Sequence, residues 1–516
     1  MYPATFAAAA PDRAAVVMAG SGEIVTYREL RERSNRFARF LDDIDPGRQA
    51  VVAILMANDP RYFEIAWAVR QTGRYFTPVN SHLTADEVAY IVADSGASVL
   101  VAGASLADVA AELTPAVVPA VAQRVLVGGS RPGWSEYADV VAGYGTEPVP
   151  DEVEGEIILY SSGTTGRPKG IRRRLSGRPM DAEHDGTVPF LRAIGFEEGG
   201  VYLCPAPLYH AAPIHWSMAT HRLGGTVVVL ERFDAEDALR MIERYRVTHA
   251  NLVPTMFVRM LKLDPAIRAR YDVSSLRQVV HAAAPCPVDV KRAMIEWWGP
   301  IISEFWSSSE GAGATFVTAP DWLAHPGTVG RATMGTLHVL DDDGVEVPPG
   351  EVGTIWAADV PRPYEYLNDE DKTRTQSNDR GWVTVGDVGY LDGDGYLYLT
   401  DRKAYTIIAG GVNVYPQEAE DVLIGHPKVR DAAVFGIPDP DLGERVHAVV
   451  EPLPPASAGP ELAAELIAYC RDRLAHYKCP RGIDFTDQLP RTDTGKLYKR
   501  RLKDEYWARA ASATPP

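Results

Sequence analysis

The chain has 516 residues, of which 46% are hydrophobic and 23% charged, a balance that builds packed cores and excludes a disordered or fibrous protein. That length exceeds what one core supports, so two or three domains are expected. A formal charge of −17 excludes a dispersed basic surface for nucleic acid or anionic lipid, so neither nucleic acid nor membrane is expected as a partner. Cys204, Cys286, Cys470 and Cys479 are scattered and form no C-x-x-C pair, which argues against a disulfide framework or a zinc site. A secretory signal and a long uninterrupted apolar run are both lacking, so a soluble cytoplasmic protein is expected.

Taken in chain order, the elements indicate parallel α/β layers. Thr26-Tyr27-Arg28-Glu29 reads as a capping box, and Leu30, Ser34, Phe37, Leu41 and Ile44 recur at helical spacing until Asp45-Pro46-Gly47. Short apolar strands are predicted within residues 50–56, at Val99-Leu100-Val101 and at Val125-Leu126-Val127, with a helix around Tyr62 to Val69 between the first two. The pattern recurs at residues 226–230, ahead of a helix from about Asp234, and at Gln278-Val279-Val280. Beyond about residue 335 the acidic turns Asp341-Asp342-Asp343-Gly344 and Asp392-Gly393-Asp394-Gly395 predict hairpins of a β-rich subdomain. The alanine- and proline-rich tail 510–516 is expected to be disordered.

The most telling stretch is Tyr160-Ser161-Ser162-Gly163-Thr164-Thr165-Gly166-Arg167-Pro168-Lys169-Gly170, directly after the strand-like Ile157-Ile158-Leu159. Glycines let backbone N–H groups approach an anion, hydroxyls add donors, and one ammonium balances phosphate charge. The spacing before Lys169 is not that of a Walker A loop. Arg172-Arg173-Arg174 reads either as a solvated turn or as a patch near a phosphate-bearing substrate.

Together with further segments in a fixed order, this loop resembles the adenylate-forming superfamily. The segments are Glu304-Phe305-Trp306-Ser307-Ser308-Ser309-Glu310-Gly311, Gly386-Asp387-Val388-Gly389-Tyr390, Asp401-Arg402-Lys403, residues 410–418, and Pro490-Arg491-Thr492-Asp493-Thr494-Gly495-Lys496. Within the superfamily the likeness is to acyl-CoA synthetases of the bile-acid and steroid-acid type and to amide bond synthetases. The resemblance implies an α/β fold with a large N-terminal adenylation domain, 1–400, of α/β layers plus the β-rich subdomain. A hinge at 401–404 and a small mobile α+β C-terminal lid domain, 405–509, would follow.

It also implies an ATP- and Mg2+-dependent ligase that joins a carboxylic acid to AMP, releases pyrophosphate and passes the acyl group to CoA, or alternatively to an amine. Oxide is a poor leaving group, so a carboxylate must first acquire a better one. The transition state gains negative charge at phosphorus, which calls for cations and donors and not for a covalent nucleophile. By resemblance, Ser161, Ser162, Gly163, Thr164, Thr165, Gly166 and Lys169 would hold phosphates, and Glu310 would be the metal carboxylate. Trp306 would cover the adenine face, with the backbone of Ala283, Ala284 and Pro285 at its edge. Ser309 would meet the α-phosphate, Asp387 and Arg402 the ribose, and Lys496 the reacting carboxylate. His210 would gate the acyl pocket or accept a proton there, and His215, Trp216, Asn251, Thr255, His281 and Phe316 are candidates to line it for an aryl or ring-containing acid. Ala404, Tyr405, Thr406 and Ala409 depart from the commoner family pattern near the hinge, which keeps the amine acceptor open.

Overall fold

The computed structural model describes residues 1–161, 168–182, 186–360, 364–369, 376–402, 405–409, 412–439, 442–454, 456–491 and 497–513. The chain forms two compact units. The first comprises Met1–Leu252, Leu263–Val279 and Pro361–Thr375; the second comprises Val253–Lys262, Val280–Val360 and Gln376–Pro516.

The first unit is built on two layers of strands. One sheet runs in the order Ser135–Glu136, Gln123–Val127, Ala97–Gly103, Val51–Leu55, Tyr75–Pro78, Glu156–Ile157, and every pairing is parallel. Its central strands are buried on both faces, which is why they read as unbroken apolar runs and not as alternating ones. Burial of each Val, Leu or Ile there stabilises the fold by about 1.5–3 kcal/mol before entropy is counted. The second layer pairs His249–Leu252, Val201–Cys204, Thr226–Val229 and Ala14–Met18 in parallel and ends in the antiparallel Ile24–Thr26. Next follows the helix Tyr27–Ile44, whose Thr26 accepts from Glu29 N at 3.2 Å while Glu29 accepts from Thr26 N at 2.8 Å. This reciprocal cap contributes about 1 kcal/mol.

The run at 157–159 is not one strand. Ile157 pairs in parallel with Phe76, whereas Leu159 pairs antiparallel with Ile171, and the switch occurs at Ile158, whose N–H donates to Phe76 O at 2.9 Å. Arg172 and Arg173 lie on the strand Lys169–Arg173, so the solvated-turn reading of that run is replaced by a strand in which Arg172 Nε donates to Glu365 at 2.9 Å.

The second unit contains the antiparallel strands Ile302–Ser307, Ala314–Val317 and Arg331–Met334, and a four-stranded antiparallel sheet, Thr336–Leu340, Gly353–Ala358, Asp387–Leu391 and Leu397–Arg402. The acidic turns sit where the hairpins require them, and Gly344 and Gly395 take φ of 77° and 80°. The long hairpin of Val429–Asp439 with Gly443–Pro452 packs with the helices Pro416–Ile424 and Pro460–Arg471 over a core that includes Leu423, Val434, Ala448 and Leu466. The last helix, Lys499–Ala513, extends past the expected boundary at residue 509, because the alanines at its end are strong helix formers. The α/β class, with a large N-terminal and a small C-terminal domain, is the one implied by the sequence motifs. Among the described residues no helix is long and apolar enough to cross a membrane.

Candidate active site

The glycine- and hydroxyl-rich segment closes a hairpin in the first unit, with Ser161 opposite Lys169. Ser162, Gly163, Thr164, Thr165 and Gly166 lie outside the described residues. One helix, Ala85–Asp94, holds both ends of the loop: Tyr160 OH donates to Asp94 Oδ2 at 2.7 Å, and Tyr90 OH donates to Pro168 O at 3.2 Å. Burial, and then the Asp94 carboxylate, push the Tyr160 phenol well above its usual range, so it stays a donor. Asn368 donates to both Asp94 O and Oδ1 at 3.1 Å. Lys169 Nζ pairs with Asp369 Oδ2 at 2.6 Å, and that bond raises its pKa. Any phosphate reaching this ammonium competes with Asp369, a partner 200 residues away that no local spacing announces.

The second unit brings two predicted nucleotide residues together. Trp306 Nε1 donates to Asp387 Oδ2 at 2.7 Å, and each residue is 8% exposed. A buried carboxylate and a buried indole N–H each need a partner, and here they supply one another. The indole also packs with Val329, Leu337, Ile355 and Leu397 in a buried cluster. Antiparallel pairing sets Asp387 opposite Arg402. Just beyond Trp306, Ser308–Gly311 form a turn in which Gly311 N donates to Ser308 O at 3.0 Å with Gly311 at φ 70°, and this turn carries Ser309 and Glu310. Ala283 adopts φ 72°, a left-handed conformation that costs a non-glycine residue about 1 kcal/mol or more. It and Pro285 are exposed, leaving their backbone accessible to a ligand edge. Lys496 lies outside the described residues.

His210 precedes the helix Ala211–Arg222, with its ring against Tyr209 at 4.5 Å between centroids and its Nε2 buried without a partner. Burial, helped by His82, lowers its pKa to about 3. Such a group stays neutral at neutral pH. Among the described residues no group of three or more His, Cys, Asp or Glu side chains is placed to hold a metal alone. The carboxylate of Glu310 is the kind of oxygen donor Mg2+ takes, and it would hold the ion together with phosphate oxygens.

Residues 4–359 match the AMP-binding enzyme family, and residues 418–496 match the AMP-binding enzyme C-terminal domain. The chain belongs to the AMP-binding enzyme family. It is 34% identical over 506 residues to the fatty acid–[acyl-carrier-protein] ligase ScoC of Streptomyces coeruleorubidus, covering 95% of this chain and 93% of that protein. It is 33% identical over 489 residues to a feruloyl-CoA synthase of Amycolatopsis sp, covering 94% of each. Among solved structures it is similar to the amide bond synthetase McbA from Marinactinospora thermotolerans, with a TM-score of 0.78, 30% identity, and 96% of this chain and 97% of that chain covered. This AMP-binding enzyme is therefore an ATP- and Mg2+-dependent, AMP-forming ligase of carboxylic acids.

Proposed function

We propose that this ligase activates an aryl or other ring-containing carboxylic acid and passes it to the thiol of CoA. The observation that carries the nucleotide half of this reading is the buried Trp306–Asp387 hydrogen bond, which unites the residues assigned to adenine and ribose. The feruloyl-CoA synthase relative supports a ring-bearing acid and CoA. In this reading the substrate carboxylate attacks the α-phosphorus of ATP, and pyrophosphate leaves with the pair of electrons of the broken P–O bond. The CoA thiol then loses its proton to solvent, its sulfur attacks the acyl carbon, and AMP departs with the C–O electrons. Lys496 supplies the charge that both attacking carboxylate and phosphoryl oxygens require, Glu310 holds the metal, and the 161–169 loop holds the outgoing phosphates. Domains at 1–400 and 405–509, joined by a hinge at 401–404, would let Lys496 approach and withdraw.

A second reading, transfer to an amine, is supported by the likeness to McbA and by Ala404 and Ala409 near the proposed hinge. Screening acids by pyrophosphate release, then mass spectrometry with CoA or with an amine, separates the two: product formed only with the amine overturns the CoA assignment. A panel in which straight-chain fatty acids outperform ring acids overturns the acid class. Lys496→Ala is expected to lower pyrophosphate release by roughly 10²–10³-fold with ATP affinity retained, and unchanged release removes that lysine from the reaction.

A further inference from the structure

In the second unit a charged cluster is sealed in apolar surroundings. Lys291, on the helix Val288–Trp298 and 0% exposed, donates from Nζ to Glu304 Oε2 at 2.6 Å and lies 4.8 Å from the Trp322 ring centroid. Glu304, on the strand Ile302–Ser307, is 5% exposed. His281, at the end of Gln278–His281 and 0% exposed, brings Nε2 to 3.4 Å from the same Glu304 oxygen, yet neither ring nitrogen makes a hydrogen bond. Burial, and then the Lys291 charge, hold the imidazole well below its usual pKa and therefore neutral.

Such a cluster is a poor stabiliser. Taking both ions out of water costs several kcal/mol each, and an apolar pair of similar volume often does as well or better. In some proteins a buried ion pair is retained because it fixes one arrangement, and an arrangement fixed here would bear on what lies two residues on. Strand periodicity puts Trp306 on the same face as Glu304, and the strained Ala283 follows His281 by two positions. The strands bearing His281 and Glu304 are neighbours in one sheet.

We infer that Glu304, clamped by Lys291 and faced by His281, is a positioning residue that holds the Ala283–Pro285 backbone and the Trp306 indole at the separation one adenine needs. This rests on the assignment of those two segments to adenine. Glu304 touches no substrate; it acts through the two segments that would.

The test titrates AMP calorimetrically into the full chain and into three variants: Glu304→Gln, the double Lys291→Met/Glu304→Leu, and Trp306→Ala. A merely structural defect lowers the melting temperature and raises the apparent Kd only by the fraction unfolded, so Kd is compared at a temperature where circular dichroism shows every variant fully folded; there a positioning defect still raises Kd and a structural one does not. We expect the double variant to melt at or near the parent temperature while its Kd rises about tenfold, with Glu304→Gln in the same direction. If the double variant fails to fold, Glu304→Gln carries the test alone. An unchanged Kd in Glu304→Gln, alongside a raised Kd in Trp306→Ala, overturns the positioning role and spares the adenine assignment. An unchanged Kd in Trp306→Ala overturns both.

Discussion

Among the described residues, one histidine in each unit is wholly sealed from solvent, and the two differ in their bonding. In the first unit His221 accepts from Trp67 Nε1 at 3.1 Å through Nδ1, so Nε2 carries the proton and donates to Ala15 O at 3.1 Å. Tyr27 and Phe63 meet the ring edge-on. Every polar atom of that ring is satisfied, and nothing remains for a ligand. In the second unit His281 has equal burial and no hydrogen bond, beside an ion pair that an apolar pair could replace. The contrast teaches that burial alone does not distinguish a packing histidine from one placed for another purpose; the accounting of its two nitrogens does.

The contrast is broken most severely at His221. His221→Ala leaves the Trp67 N–H and the Ala15 carbonyl buried without partners, at about 1–3 kcal/mol each, so a loss of roughly 2–6 kcal/mol is expected in urea unfolding, with AMP affinity unchanged. A weakened AMP affinity in the folded variant would blur the distinction between the two histidines. Asp387→Ala is expected to do the reverse: about 1–3 kcal/mol of stability is lost by orphaning the Trp306 N–H, and ATP affinity falls as well, about tenfold or more. Undiminished ATP affinity by calorimetry removes Asp387 from the ribose site.

Acid sharpens the comparison without mutation. His215 and His221 are lowered to about 4, His210 to about 3, and His281 well below its ordinary value, in each case chiefly by burial. Their folded pKa values lie below the unfolded value of 6.5, so the unfolded chain binds more protons as pH falls below 6.5. Stability from these groups is therefore full above pH 6.5 and declines from there toward about 4; a melting temperature that stays level from pH 7 to pH 5 counts against their burial as neutral rings. The smallest effect belongs to Asp369→Asn. Its pair with Lys169 is 31% and 22% exposed, so no more than about 1 kcal/mol of stability should change, while Lys169 is released for phosphate. A lower KM for ATP is the expected sign, and a KM raised as far as by Asp387→Ala would assign Asp369 a role of its own.

Much of this architecture is legible residue by residue. The capping box at Thr26, the parallel apolar strands at 51–55, 97–103 and 123–127, and the acidic hairpin turns follow from periodicity and turn chemistry, which act over a few residues. The break at Ile158 was not legible, because an unbroken apolar run cannot show which neighbouring strand each residue will meet. Nor was the strand that carries Arg172, whose partner Glu365 lies 193 residues on.

The same division holds at the site. Sequence by itself determined the chemical inventory: hydroxyls and glycines ahead of Lys169, a carboxylate at Asp387, an indole at Trp306, and their order along an AMP-binding enzyme. Tertiary structure alone decided that the indole bonds that carboxylate across 81 residues, that Asp369 claims Lys169, and that Lys291 and His281 converge on Glu304. The reason is physical. Local propensities act within a turn or a strand, whereas the partner of a buried polar group is chosen by strand order and packing, under the cost of leaving that group unpaired.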